Sequence, residues 1–399
     1  MKLLYLVHRM PYPPNKGDKV PSYHLLRHLA ERHEVHLGTF IDDPEDEAHV
    51  DTVRAWCADA HFSRLHPRTA RWKSLRGLLS GEPLGLPYYR DASLRDWVAQ
   101  TVARHRLDGV LVFSSTMAQY AEGLGLPTWV DFVDLDSAKW TAYADRHRWP
   151  LSWLYAREGR QLLAYERRVA TWAQASFFVT EAECALFREA APESAHRVQA
   201  LCNGVDAEFF APAASRTSPF PSDVLPLVFT GAMDYWPNVD AVTWFVQDML
   251  PRLKADWPAL RFYIVGRSPT QAVKALAGPD VEVTGTVPDV RPYLQHASLV
   301  VAPLRLARGI QNKVLEAMAM ARPVVAASPC VQAIDGAGAD ELAAADSVDD
   351  YLRVIQAWLR EPEKADAVGQ SARARVLAGF AWPARLAPLD RALLERTAA

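Results

Sequence analysis

The amino-acid sequence predicts an α/β protein built from two Rossmann-like domains, and three observations carry that prediction. Short apolar runs rich in Val, Leu, Ile and Phe alternate with segments of helical period along nearly the whole chain. A stretch of Pro, Ser and Thr at 211–226 interrupts the alternation, which restarts at Leu227. At 399 residues the chain can hold two or three cores. The domains are expected at 1–210 and 211–379.

In the first half, strands are predicted at 3–7, 35–40, 107–113, 128–132 and 176–180, with helices near 21–31, 94–105, 152–172 and 181–187. The loop after the first strand, His8 to Lys19, contains Asn15, Lys16, Gly17 and Asp18 and lies where open α/β sheets bind ligands. Asn203-Gly204 reads as a tight turn closing this half. In the second half, strands are predicted at 227–230, 262–265, 281–283, 299–302 and 324–327. Asn238 reads as the cap of a helix, and Ser347 opens another with acids in its first turn. Phe380-Ala381-Trp382-Pro383 interrupts the helical pattern before a last helix carrying Leu386, Leu389 and Leu393.

Composition excludes several classes. Half the residues are hydrophobic, 23% are charged and the net charge is −3, which leaves no basic field for a nucleic acid. Cys57, Cys184, Cys202 and Cys330 have no metal-ligand spacing, which fits a reducing cytoplasm and argues against a structural zinc. No apolar run approaches the roughly eighteen residues of a membrane span. The apolar start at Leu3 is too short for a signal peptide and reads as a buried strand. Between 64 and 79, Arg64, Arg68, Arg71, Lys73 and Arg76 interleave with Trp72, Leu75, Leu78 and Leu79, with no acid before Glu82. Such a run is either a solvated face or an interfacial helix on anionic lipid at the inner face of the plasma membrane.

The chemistry concentrates in 299–327, which reads as strand, loop, helix and strand. Pro303 stops the first strand, Gly309 frees the backbone for helix entry, and Arg322-Pro323 ends the helix. A helix start at the mouth of a parallel sheet presents unpaired N–H groups and a positive dipole end, which suits a phosphate. Lys313 falls in that first turn, and Glu316 lies on the same face. By spacing alone the two are a solvated pair worth a few tenths of a kcal/mol.

The run Asn312-Lys313-Val314-Leu315-Glu316-Ala317-Met318-Ala319, with Arg322-Pro323-Val324-Val325, resembles the donor-binding signature of GT-B glycosyltransferases of family 4. The Pro/Gly-rich first loop and Asn203-Gly204-Val205-Asp206 are similar to that family as well. The resemblance implies two Rossmann-like domains facing a cleft, with residues 380–399 returning as a helix to the first domain. It implies that Glu316 holds the ribose of a UDP- or GDP-sugar and that Gly309, Ile310, Gln311, Asn312 and Lys313 surround its diphosphate. Asn15, Lys16, Gly17 and Asp18 would face donor phosphates and acceptor. Two departures stand out: Arg308 occupies the place of a second glutamate that touches the donor sugar, and no Arg or Lys follows Gly231, where many members grip the diphosphate. Lys313, Arg267 and Arg305 or Arg308 are left to carry the phosphate charge.

Asp134-Leu135-Asp136 has the form by which the other class, GT-A, holds a metal. Because the second half resembles GT-B, these acids are instead expected to face the cleft and orient the acceptor, with no metal required. Catalytic candidates are therefore Asp134, Asp136, Lys313 and Arg267. The first loop, the acid-rich stretch and Gly309-Ile310-Gln311-Asn312-Lys313 together further resemble sugar transferases of bacterial exopolysaccharide and PEP-CTERM systems. The expected activity is transfer of a sugar, with retention, to a saccharide or polyprenyl-linked acceptor. A nucleotide-sugar 2-epimerase and a catalytically impaired GT-B scaffold are the rival readings.

Overall fold

The structure is a computed structural model describing residues 1–14, 18–305, 307, 310–334 and 337–395, apart from the side chain of Arg146. The chain divides into unit 1, residues 1–203 with 385–399, and unit 2, residues 204–384.

Unit 1 is a seven-stranded parallel sheet, β1 (Lys2–Val7), β2 (Glu34–Ile41), β3 (Asp59–Arg64), β4 (Gly109–Phe113), β5 (Thr128–Val133), β6 (Ala175–Phe178) and β7 (Val198–Ala200), in the order β3-β2-β1-β4-β5-β6-β7. β1 and β4 are buried on both faces, which is why they read as continuous apolar runs rather than alternating ones. β3 and β7 are edge strands of ordinary composition, and periodicity gave no sign of them. The helices that matter for the site are α1 (Lys19–Ala30), α2 (Pro67–Ser74), α3 (Arg76–Ser80), α4 (Ala92–Arg104), α5 (Asp136–Arg146), α6 (Leu151–Trp172) and α7 (Glu181–Ala190). A single interfacial helix over 64–79 does not form. Arg64 ends β3 and pairs with Glu47, and the remainder splits into α2 and α3, which meet at Leu75.

Unit 2 is a six-stranded parallel sheet, β8 (Leu225–Thr230), β9 (Leu260–Val265), β10 (Val281–Gly285), β11 (Leu299–Ala302), β12 (Val324–Ala326) and β13 (Ala343–Ala344), in the order β10-β9-β8-β11-β12-β13. It carries α8 (Trp236–Trp244), α9 (Asn312–Ala319), α10 (Val348–Arg360) and α11 (Pro362–Gly379). Ser347 and Asp350 cap α10 reciprocally, as the acidic start suggested. The apolar side of α9, Val314, Leu315, Ala317 and Met318, enters the core, leaving Lys313 and Glu316 on its open side. Ala321 closes α9 at φ +55°, and Gly369 of α11 lies so close that a Cβ there would stand 2.3 Å from the Ala321 carbonyl oxygen.

The division falls at 203/204, not at 210/211. The Pro-rich stretch lies on unit 2: Gln295 accepts from Ala213 N at 3.0 Å, and the ring of Phe220 packs on Tyr263. Asn203-Gly204 makes no tight turn with positive φ. Gly204 instead admits the backbone of Trp382, 3.0 Å from where its Cβ would stand, and Val205 bridges Ala381. The final helix, α12 (Trp382–Glu395), returns to unit 1, where it buries Leu386, Leu389 and Leu393. There the Trp129 indole donates to the Ala392 carbonyl at 3.1 Å, and His28 Nε2 meets Asp390 at 2.7 Å.

Candidate active site

In each sheet the strand order reverses once, between β1 and β4 in unit 1 and between β8 and β11 in unit 2. Crevices at the carboxyl ends of strands form at such reversals. Sequence-predicted residues that the structure describes fall at both.

In unit 2, β8 ends at Gly231 with φ +153° and β9 at Gly266 with φ +154°. A Cβ on Gly266 would stand 1.7 Å from the Gly231 oxygen, so the two loops touch backbone to backbone. A Cβ on Gly231 would meet Asn238 Nδ2 at 2.8 Å and Lys313 Cε at 3.2 Å. Gly231 thus keeps open the corner where these two side chains meet. Asn238 is not a helix cap, because α8 begins at Trp236. It is buried, donates to the Ala232 carbonyl at 2.8 Å and accepts from Lys313 Nζ at 2.9 Å. The Lys313 ammonium lies 5.2 Å from the Phe229 ring centroid, and burial lowers its pKa. Among the described residues its hydrogen bond is to a neutral amide, and an ammonium has further N–H donors to offer an anion.

Glu316 stands one turn along α9. Burial pushes its pKa up to about 7, partly offset by Lys313, and no hydrogen bond reaches its carboxylate among the described residues. An ionisable acceptor left without donors suits a ligand that brings hydroxyls. Arg267, beside Gly266, is exposed and makes no ion pair among the described residues. Arg305, a phosphate candidate by sequence, is already paired. Its guanidinium is held by both oxygens of Asp240, Nε at 3.0 Å, and lies over Trp244. Ile310 packs on the unit 2 core, Gln311 precedes α9 and Asn312 is exposed at its start. Arg308 and Gly309 lie outside the described residues, as do Asn15, Lys16 and Gly17.

In unit 1 a cavity of about 370 Å³ opens at the ends of β1, β4 and β5. His8, Tyr89, Ser115, Asp136, Trp140 and Glu158 line it, joined by Tyr88, Thr116 and Tyr155. Rings and hydroxyls dominate, two carboxylates enter, and no Arg or Lys among the described residues is in its wall. Burial raises the pKa of Asp136, against the pull of Lys139. Asp134 accepts from Lys139 Nζ at 2.5 Å, and the same ammonium reaches Asp136 at 3.3 Å. Of the two acids, only Asp136 lines the cavity. Asp18 accepts from Arg9 at 2.5 Å and lies 3.3 Å from His8 Nε2. Burial opposes its ionisation, yet His8 and Arg9 bring its pKa down to about 2. Asp18 therefore fixes the His8 ring rather than standing free.

Behind this wall are further buried acids. Asp131 is pushed up to about 7 and Glu166 to about 8, both chiefly by burial. Ser137 donates to Glu166 at 2.5 Å. Val133, at the end of β5, has φ +69°, a strained conformation for a β-branched residue.

Sequence reasoning missed Asn238 in its orienting role and, in unit 1, Tyr89, Trp140, Tyr155 and Glu158; His8 lies in the marked first loop but was given no role of its own. His8 and Asp136 follow strands and lie in stretches the sequence marked, whereas Tyr89, Trp140, Tyr155 and Glu158 come from helices or a helix end and carry no such signal.

Comparison with known proteins fits this architecture. Residues 225–361 match the family model described as glycosyl transferases group 1. HepE from Anabaena in complex with UDP is similar in structure, with TM-score 0.66 at 15% identity, covering 99% of this chain and 100% of that one. Sucrose-phosphate synthase from Thermosynechococcus elongatus gives TM-score 0.68 at 16% identity over 100% of both chains. WaaG, a glycosyltransferase involved in lipopolysaccharide biosynthesis, gives 0.60 at 17% identity over 98% of each. A search of curated proteins returned no match. The chain has the GT-B glycosyltransferase fold, and the group 1 match lies within unit 2.

Proposed function

We propose that this protein is a glycosyltransferase of the family 4 type, moving a hexose from a nucleoside-diphosphate sugar to a saccharide or polyprenyl-linked acceptor with retention at the anomeric carbon. The observation that carries the proposal is the corner of Gly231, Asn238 and Lys313 with Glu316 one turn away. It combines a cation and a helix start for a diphosphate with an unbonded carboxylate for a ribose. UDP is the first nucleotide to test, because HepE is described in complexes with UDP and with UDP-glucose.

As the glycosidic bond breaks, negative charge grows on the departing diphosphate. Lys313, Arg267 and the first N–H groups of α9 supply fixed positive charge for it, so the reaction is proposed to need no metal. Asn238 holds Lys313 in place, and Gly231 clears the approach. Glu316 positions the nucleoside. The unit 1 cavity, with its rings, hydroxyls and two carboxylates, is assigned to the acceptor sugar. The protein is placed at the cytoplasmic face of a bacterial plasma membrane, in exopolysaccharide assembly. No described helix is long and apolar enough to cross a membrane, and the attachment we propose is peripheral.

Calorimetry with UDP, GDP and uridine tests the donor site. Binding of a nucleoside diphosphate that Lys313→Ala weakens more for the diphosphate than for the nucleoside is the expected result. Absence of binding to either diphosphate would leave a scaffold. A panel of nucleotide sugars scored for hydrolysis and for epimer formation then names the donor and separates transferase from epimerase.

A further inference from the structure

The mouth of the unit 1 cavity joins two surface features that the chain keeps far apart in sequence. Ser74 at the end of α2 and Leu154 in the first turn of α6 line the same cavity. Arg157 of α6 donates to the Gly77 carbonyl of α3 at 2.5 Å and to the Glu82 carbonyl at 3.1 Å, and Glu158 accepts from Leu84 N at 2.6 Å. The first turns of α6 are therefore fastened to α3 and the loop that follows it.

Both elements carry large apolar side chains exposed to solvent, close in the chain to the lining residues Ser74 and Leu154. Trp72 is 76% exposed and Leu79 is 93% exposed on α2 and α3, while Trp149 is 80% and Trp153 is 54% exposed around the start of α6. Leu75, Leu78 and Leu151 add to them. Arg68, Arg71, Lys73 and Arg76 are exposed among these and make no ion pair among the described residues. Single exposed apolar residues are common, but a rim of tryptophans and leucines with unpaired cations is the composition of an interfacial surface on anionic lipid. The cavity itself is lined by Asp136 and Glu158, with no Arg or Lys among the described residues in its wall.

We propose that this rim docks on an anionic membrane and that the cavity takes an uncharged or amino sugar carried on a lipid phosphate. The tryptophans and leucines enter the headgroup layer. The cations meet lipid phosphates, that of the carrier included, and the sugar passes between α2 and α6 into the carboxylate-lined cavity. The sugar's role as acceptor rests on the transferase reading, whereas the docking surface does not. The sequence marked only 64–79, and the structure extends the surface to 149–153.

The test is co-sedimentation of the full chain with phosphatidylcholine vesicles containing phosphatidylglycerol, against phosphatidylcholine alone, at low and physiological salt. Wild-type protein is expected to bind the anionic vesicles, less so as salt rises. Trp149→Ser with Trp153→Ser, and separately Trp72→Ser with Leu79→Ser, should each reduce the bound fraction about fivefold or more. Arg68→Gln with Arg71→Gln and Lys73→Gln should abolish the preference for anionic lipid. These side chains are exposed, and unchanged thermal melting and UDP binding on the same preparations show that fold and donor site persist. If the Trp149 and Trp153 pair leaves vesicle binding untouched while the basic variant loses it, the cavity mouth is not part of the membrane face. Vesicle binding absent in the wild type, or capture of a protein with no response to lipid, overturns the proposal altogether.

Discussion

At the scale of single residues, the site rests on groups whose protonation burial has displaced. Glu316, pushed up to about 7, accepts ribose hydroxyls best when ionised, so binding should favour the carboxylate and release protons near neutral pH. UDP titration in buffers of different ionisation enthalpy should show that release at pH 7, and Glu316→Gln should remove it. Glu316→Ala should weaken nucleotide-sugar binding by about 1–3 kcal/mol, and unchanged affinity would displace it from the donor site. Glu166 gives a stability test of the opposite concern. Its folded pKa of about 8 lies above the ordinary value, so the native state holds a proton that the unfolded chain has released. That contribution is present in full below the ordinary glutamate range and is lost as pH rises through about 8. Glu166→Gln keeps an acceptor for Ser137 and cannot ionise, so it should flatten the fall in stability between pH 5 and 8. At pH 8 the gain over wild type should be on the order of 2 kcal/mol by denaturant titration.

At the scale of elements, the donor corner depends on a helix held at both ends. α9 is short, and its start carries Lys313 while its close at Ala321 lies against Gly369 of α11. A methyl at 369 meets backbone, which cannot rotate away as a side chain can. Gly369→Ala should therefore cost about 1–3 kcal/mol in unit 2 stability and lower UDP affinity together, because the helix that yields is the one bearing Lys313 and Glu316. A loss of stability with UDP affinity intact would show that α11 moves instead. In unit 1 the corresponding fastening is electrostatic: Arg157 ties the start of α6 to the α3 loop, so burying a cation there fixes one side of the cavity mouth.

At the scale of the whole molecule, the last helix matters most. Leu389 of α12 is fully buried in unit 1, although the whole of unit 2 separates it in sequence from the rest of that unit. Leu389→Ala should destabilise unit 1 by about 2–5 kcal/mol. Followed by calorimetry, which separates units that melt independently, the loss should appear in one transition while UDP binding persists. Loss of both together would mean the units unfold as one. The sequence by itself determined that there are two parallel α/β units, because strands buried on both faces must be apolar throughout and leave runs such as 3–7, 109–113 and 299–302. It also determined that Lys313 and Glu316 share a helix face, since that is a matter of local geometry. It could not show β3, β7 or β13, whose residues carry little apolar pattern because they lie at sheet edges or are short. Nor could it show that Arg305 is bound to Asp240, that Asn238 orients Lys313, or that Ser74 and Leu154 line one cavity. Only the tertiary structure decided these, because each joins residues tens of positions apart, and a linear pattern fixes which face a side chain takes but not which distant side chain it meets.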